Sequence, residues 1–302
     1  MTSKQFLHSS DKGFTLVELL VSTALGLLIT GSIISVTMSS RNLYQYDIIR
    51  TRLNQELRSS LDVLGANVRE AGENLSSTFD AIVLTNGTGI NNSDELVLRR
   101  NLKDEVLKVC QPIAAASSTT SIYFADSSAT AGCAYTDNTY AYSVWQTYRN
   151  EQDGVVRAFI YNQSTRQGEF FNYISETDTG TELIIQKSAG AWQYDYPVES
   201  SAVYLLEEWH FSLQEHDLGD NYLEVIENGD DANPLNIMYG LANFQVRAVM
   251  ADGTVKNELD IADRWTDLQA LDITVSAEDS WKDRNINKTI TSRFFPRNVL
   301  SN

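Results

Sequence analysis

The sequence predicts an α+β protein: a long N-terminal α-helix, membrane-spanning in its first half and amphipathic in its second, packed on a mostly antiparallel β-sheet domain. Three observations carry this. Leu19 to Ser40 is a run of 22 residues without a single charge. Beyond it, Leu43, Tyr46, Leu53, Leu57, Leu61, Leu64 and Val68 recur at spacings of three, four and seven, one apolar stripe of a helix. From Phe79 onward that period gives way to short β-prone runs separated by turn residues.

As a helix the uncharged run is roughly 33 Å long, against a hydrocarbon core of about 30 Å, so it can cross a membrane. No proline occurs before Pro112, and Gly72 is a natural stop. The expected helix therefore runs from Phe14 to about Ala71, with the membrane segment over 14–40. Its second half exposes an apolar stripe between Arg52, Glu56, Arg58, Asp62 and Arg69, and needs a cover. A sheet from the same chain is the simplest one; a coiled coil with partner chains is the alternative, over a stripe of only about four heptads.

The expected strands are Ala81–Thr85, Glu95–Arg99, Glu105–Val109, Ser121–Ala125, Tyr140–Tyr148, Val155–Tyr161, Glu169–Ile174, Glu182–Lys187, Val203–Gln214 and Tyr222–Ile226. Asn86-Gly87 and Asn91-Asn92 read as turns between the first of them. The tracts 114–120 and 126–132 read as loops. Three further segments follow: Tyr239–Gly253 running into an Asp-Gly turn, Trp265–Val275, and Thr289–Asn298. No Pro- or Gly-rich linker divides the region, so the 230 residues from 73 to 302 are expected to form one β-rich domain.

Composition is that of a globular protein, with 42% hydrophobic and 21% charged residues. The net charge of −17 disfavours a nucleic-acid partner bound through phosphate neutralisation, and no long Lys/Arg run offsets it. The only cysteines are Cys110 and Cys133. In an exported domain such a pair is most simply a disulfide closing a modest loop, the alternative being two buried free thiols.

One carboxylate, Glu18, sits at the head of the apolar run, four residues after Phe14 and five after Gly13. An acidic side chain at the centre of a membrane helix costs about 2.5 to 3.5 kcal/mol, less near an end, so Glu18 calls for a compensating group. A conventional secretory peptide would carry its cleavage site after the apolar core, and no A-x-A follows here.

Gly13-Phe14 with Glu18 four residues on resembles the class III signal of type IV pilins and type II secretion pseudopilins. The resemblance implies that residues 1–13 are a prepilin leader, that a prepilin peptidase cuts between Gly13 and Phe14 and methylates the new amine, and that Glu18 pairs with a cation during assembly. It also implies an inner-membrane precursor with a periplasmic domain, then a place in a pilus on the cell surface. The partners implied are other minor pilins, the major pilin and the pilus assembly platform. The segments Tyr239–Gly253, Trp265–Val275 and Thr289–Asn298 resemble the C-terminal part of PilW-type minor pilins, although family members tend to carry a basic residue near the position of Asp272. A type II secretion pseudopilin of the J kind shares the same signal and plan.

Candidate chemistry is sparse. His210 and His216 share a strand face by their even spacing, but two histidines do not make a zinc site, which takes three or four protein ligands. The loops Asp217–Asn221 and Glu227–Asn233 hold oxygen donors of the kind calcium uses, yet neither has the spacing of an EF-hand and both have the composition of ordinary turns. There is no G-x-S-x-G, no Walker A motif and no dinucleotide fingerprint. The expected protein is not an enzyme and holds no cofactor; an exported enzyme on a pilin-like anchor would need a deep polar cleft.

Overall fold

The computed structural model describes residues 13–300 except 129, 216–220, 260–262 and 282–283. Helix α1 runs unbroken over Leu16–Glu70. It is followed by β1 (Ile82–Thr85), β2 (Glu95–Asn101), β3 (Leu107–Lys108) and β4 (Ser121–Ala125), then by α2 (Tyr135–Glu151). Next come β5 (Val156–Asn162), β6 (Gln167–Asp178), β7 (Leu183–Lys187), β8 (Ser201–Tyr204) and β9 (Leu206–Glu215). The chain closes with β10 (Asn221–Glu227), β11 (Leu235–Tyr239), β12 (Leu241–Met250), β13 (Val255–Lys256), β14 (Leu268–Trp281) and β15 (Arg284–Phe294).

The chain divides into two compact units, Met1–Arg52 with Ser280–Ile286, and Leu53–Asp279 with Asn287–Asn302. In the first unit the apolar part of α1 leaves Leu16, Val17, Leu27, Leu28 and Val36 more than half exposed. Its hydroxyls turn inward: Ser22, Thr30, Ser32 and Thr37 each donate to the carbonyl four residues earlier, and Thr23 to the carbonyl of Leu20. Such back-bonding satisfies polar groups inside the helix, which is what a lipid environment demands.

In the second unit the stripe read from the sequence becomes the buried face of α1, with Leu53, Leu57, Leu61, Leu64 and Val68 at most 3% exposed. Leu43, at the head of the stripe, is exposed. The helix stops where the sequence marked it. Gly72 has φ +82°, a conformation that glycine adopts without a Cβ penalty, and its N–H donates to the Arg99 carbonyl on β2. Arg100 ties the same end further, bonded to Glu70 of α1 and Glu207 of β9 and lying over the Trp209 ring.

The strand pairs β1–β2, β2–β9, β9–β10, β10–β11, β12–β13, β12–β14, β3–β8, β5–β8, β5–β6, β6–β7 and β4–β7 are all antiparallel. Three sheets result: β1-β2-β9-β10-β11, β13-β12-β14-β15 and β3-β8-β5-β6-β7-β4. β2 and β9 are neighbours in the first sheet, with Asn101 opposite Leu206, so residues 102–205 form a lobe inserted between them. That lobe is the six-stranded sheet with α2, and it has its own core around Phe124, Trp145, Phe171, Trp192 and Tyr196. The first two sheets are joined by Asp94, 1% exposed, whose carboxylate accepts from the N–H groups of Gly87 and Val246 at 2.9 and 2.7 Å.

One expected strand is a helix. Tyr140–Tyr148 lies inside α2. Its Tyr, Val and Trp residues favour strands by propensity, but Trp145 is fully buried while Tyr135, Ala141, Tyr142 and Tyr148 pack on the same core. Those spacings are helical, so tertiary packing overrides propensity. The expected strand Val203–Gln214 is broken at Leu205 into β8 and β9, which belong to different sheets. Trp265 opens a short 3-10 turn ahead of β14, and β15 begins five residues earlier than expected.

Candidate processing and assembly site

The site begins at Gly13, around which nothing lies within 4 Å of a would-be Cβ, and Phe14, 85% exposed. The backbone here is accessible. Helix α1 starts directly after Thr15, and Thr15 and Glu18 close a reciprocal pair. The Thr15 N–H and hydroxyl each donate to Glu18 Oε2 at 2.9 Å, and the Glu18 N–H donates to Thr15 Oγ1 at 3.2 Å. With Thr15 as N-cap and Glu18 at the third helical position, this is a capping box, in which two otherwise orphaned N–H groups are satisfied. The carboxylate also lies at the positive end of the helix dipole. The pattern T-x-x-E ahead of an apolar run is its sequence signature, and it was there to be read. Glu18 thus has a local partner in addition to any cation that later approaches it.

The structure joins Cys110 and Cys133 as a disulfide across a sequence separation of 23. Cys133 lies just ahead of α2, and its carbonyl accepts from the Asp126 N–H. The bond fastens the start of α2 to the segment after β3.

The other candidates disperse. His210 sits on β9 and its Nε2 lies 3.1 Å from Glu95 Oε2 on β2. His216 and most of the loop Asp217–Asn221 lie outside the described residues. The loop Glu227–Asn233 lines a cavity of about 470 Å³, but Arg157 reaches into it, donating to the carbonyls of Asn228 and Gly229 at 3.1 Å. A guanidinium therefore takes the backbone oxygens that a calcium ion would use. Among the described residues no group of three or more His, Cys, Asp or Glu is placed to hold a metal. Two further cavities, near 290 and 300 Å³, share Arg166, and their charged groups are engaged: Arg166 with Asp80, Arg99 with Glu208.

An exposed Gly-Phe junction, a capped carboxylate at the head of an uncharged membrane-length helix, and antiparallel sheets following that helix define a pilin-like protein. Residues 8–34 match the family model described as the prokaryotic N-terminal methylation motif. The motif supports a type IV pilin or pseudopilin, a structural protein anchored in the inner membrane by α1. No curated protein and no solved structure matches the chain.

Proposed function

We propose that the chain is a minor pilin of the PilW kind, cut between Gly13 and Phe14 by a prepilin peptidase, methylated on Phe14, and incorporated with other minor pilins and the major pilin into a type IV pilus, where it helps to initiate assembly. The observation that carries the reading is Glu18: one carboxylate in an otherwise uncharged run, set one helical turn after an accessible Gly13-Phe14 junction. Cleavage creates a cationic amine about 6 Å of helix rise before that carboxylate. In a lipid or filament interior a buried carboxylate is stable only with a cation in reach, so the amine of the same chain or of a staggered neighbour selects for assembly. The capping box keeps the carboxylate oriented until then.

The test is Glu18→Ala in the producing cell. Cleavage at Gly13 is retained, read by N-terminal sequencing, while the protein is lost from sheared surface filaments. Wild-type amounts in the filament fraction would sink the role given to Glu18. The same purification separates pilus from secretion system: minor pilins co-purify in one case, type II secretion pseudopilins in the other.

A further inference from the structure

The lobe of residues 102–205 meets the first sheet along a seam, and the two cavities that share Arg166 open there. The one near 300 Å³ is built on strands held from both sides. Arg99 comes from β2, Glu208 from β9, Phe159 from β5, and Gln167, Glu169 and Phe170 from β6. Each of these strands has a neighbour on either side in its sheet, so this wall is pre-organised and has no open strand edge. The cavity near 290 Å³ adds Ser77, Asp80 and Thr165.

The charges along the seam balance, and each is engaged. Arg99 Nε donates to Glu208 Oε2 at 2.6 Å and its Nη1 to the Asp80 carbonyl at 2.9 Å, while Arg166 Nη1 lies 3.1 Å from Asp80 Oδ1. Glu169 Oε1 accepts from the Gln193 N–H at 2.7 Å and from the Tyr196 hydroxyl at 2.9 Å. Hydrogen-bonding capacity is nevertheless left over on both signs. A guanidinium has more N–H donors than these bonds use. Glu208 Oε1 and Glu169 Oε2 take no hydrogen bond from the described residues, and neither is sealed from solvent. The exposed Gln167 amide and the half-buried Tyr194 hydroxyl, both on the larger cavity, make none to the described residues either.

We infer that the seam is a binding site for a neutral oligosaccharide, a short chain of hexose or N-acetylhexosamine units. The charge balance selects a neutral ligand. An anion would have to compete with Glu208 and Asp80 for guanidiniums they already hold, and a cation would meet those two guanidiniums. No group of described residues is placed to hold a metal ion. A peptide that docks through its backbone needs an open strand edge, and the strands lining the larger cavity have none. What fits is a ligand whose groups both donate and accept. A sugar hydroxyl does so: it can take an N–H from Arg99 or Arg166 and give its own proton to Glu208, Glu169 or the Gln167 side-chain carbonyl. The sugar ring also has C–H faces, for which Phe170 and Tyr194 supply apolar walls with electron-rich faces. The larger cavity lies at the lower end of the roughly 300–1,000 Å³ of small-molecule sites, and its neighbour extends it past Arg166 towards Ser77 and Thr165, as a chain of sugar units requires. The inference goes beyond the assembly role and does not depend on Gly13 or Glu18.

The test uses the full chain in a detergent without a sugar head group, with saturation-transfer NMR as the readout. The probes are chitotetraose, cellotetraose, maltotetraose and mannotetraose, with trigalacturonate as the anionic comparison. At least one neutral probe receives saturation at millimolar concentration, and which one does so distinguishes an N-acetylated strand from a hydroxyl-only glucan or mannan. Gln167 is exposed, so its variants should keep the wild-type melting temperature. Gln167→Ala weakens binding about fivefold, the worth of one typical hydrogen bond. Gln167→Trp, which places a ring at the mouth of the cavity, abolishes the transfer. Tyr194→Phe, which keeps the ring and removes the hydroxyl, weakens binding by a similar factor to Gln167→Ala. Glu18→Ala binds as wild type does, which separates this site from the assembly role of α1. Three results would overturn the inference: no transfer to any neutral probe, transfer to trigalacturonate alone, or transfer that Gln167→Trp leaves unchanged.

Discussion

Arg149, in the last turn of α2, grips Glu176 of β6 with the Nε–Nη2 edge of its guanidinium: Nε lies 2.7 Å from Oε2 and Nη2 lies 2.8 Å from Oε1. The Glu176 side chain is only 4% exposed, and the Tyr173 hydroxyl donates to the same Oε2 at 2.7 Å. This bidentate pair clamps the inserted helix to its sheet. Burial by itself pushes the Glu176 carboxyl up, but the hydrogen bonds from Arg149 and Tyr173 outweigh it and hold the group below its ordinary 4.5.

The sign of the pH dependence follows. A carboxyl depressed in the folded state binds fewer protons there than in the unfolded chain, so its stabilisation is complete above 4.5 and is lost as pH falls through the folded value. Urea midpoints of wild type and Glu176→Gln should therefore converge as the solution is acidified and differ most near neutrality. Arg149→Met leaves the carboxylate buried and unpaired, at about 3–5 kcal/mol, whereas Arg149→Met with Glu176→Leu recovers most of that. Equal losses in the single and double variants would contradict this account.

The disulfide gives a second prediction. In the chain-entropy model, closing a loop of this length is worth about 3 kcal/mol. Cys110→Ser with Cys133→Ser should lower unfolding stability by about 2–4 kcal/mol. The loss should concentrate in the inserted lobe. Hydrogen exchange is the discriminating measurement: amides of α2 lose protection first, while those of Leu57 to Val68 in α1 keep theirs.

Much of this was legible in the sequence, for identifiable reasons. The membrane-length run, the stripe from Leu53 to Val68 and the stop at Gly72 are local patterns, and local patterns survive into structure. Most strands appeared as β-prone runs between turns, and the turn residues Gly87, Asn91, Asn92 and Gly253 do take positive φ. What stayed hidden is non-local. That residues 102–205 are an insertion depends on β2 pairing with β9 across more than a hundred residues. That Tyr140–Tyr148 is helical depends on which of its aromatics meet a core built from distant strands. At the N-terminus the capping box was local and readable from Thr15 and Glu18.

Gly72 allows a test of how the end of α1 is held. A Cβ built there would lie 2.2 Å from Cζ3 and 2.3 Å from Cη2 of Trp265, whose indole N–H donates to the Ser76 carbonyl. Gly72→Ala therefore combines left-handed backbone strain of about 1–2 kcal/mol with overpacking of about 1–3 kcal/mol against a ring that is 3% exposed. Gly87→Ala is the control, because Gly87 also has positive φ but nothing within 4 Å of its would-be Cβ. Thermal melts should show the first variant losing clearly more than the second. If the two lose the same, the Trp265 contact carries no weight.

The capping box at Thr15 can be separated from the charge of Glu18. Thr15→Ala removes the hydroxyl that both donates to the carboxylate and accepts from the Glu18 N–H, while the backbone donor at residue 15 remains. Loss of such a cap typically costs about 1 kcal/mol, so exchange of the Val17 and Glu18 amides in detergent should quicken about fivefold. Thr15→Ser keeps the hydroxyl and should restore the wild-type rate. In cells, Glu18→Ala removes both the cap and the charge, whereas Thr15→Ala removes only the cap. If the proposed role of Glu18 rests on its charge, Thr15→Ala enters filaments far better than Glu18→Ala does. If the role rests instead on holding the first turn of α1 in shape, the two variants fail alike, and the carboxylate is an N-terminal cap first and an assembly contact second.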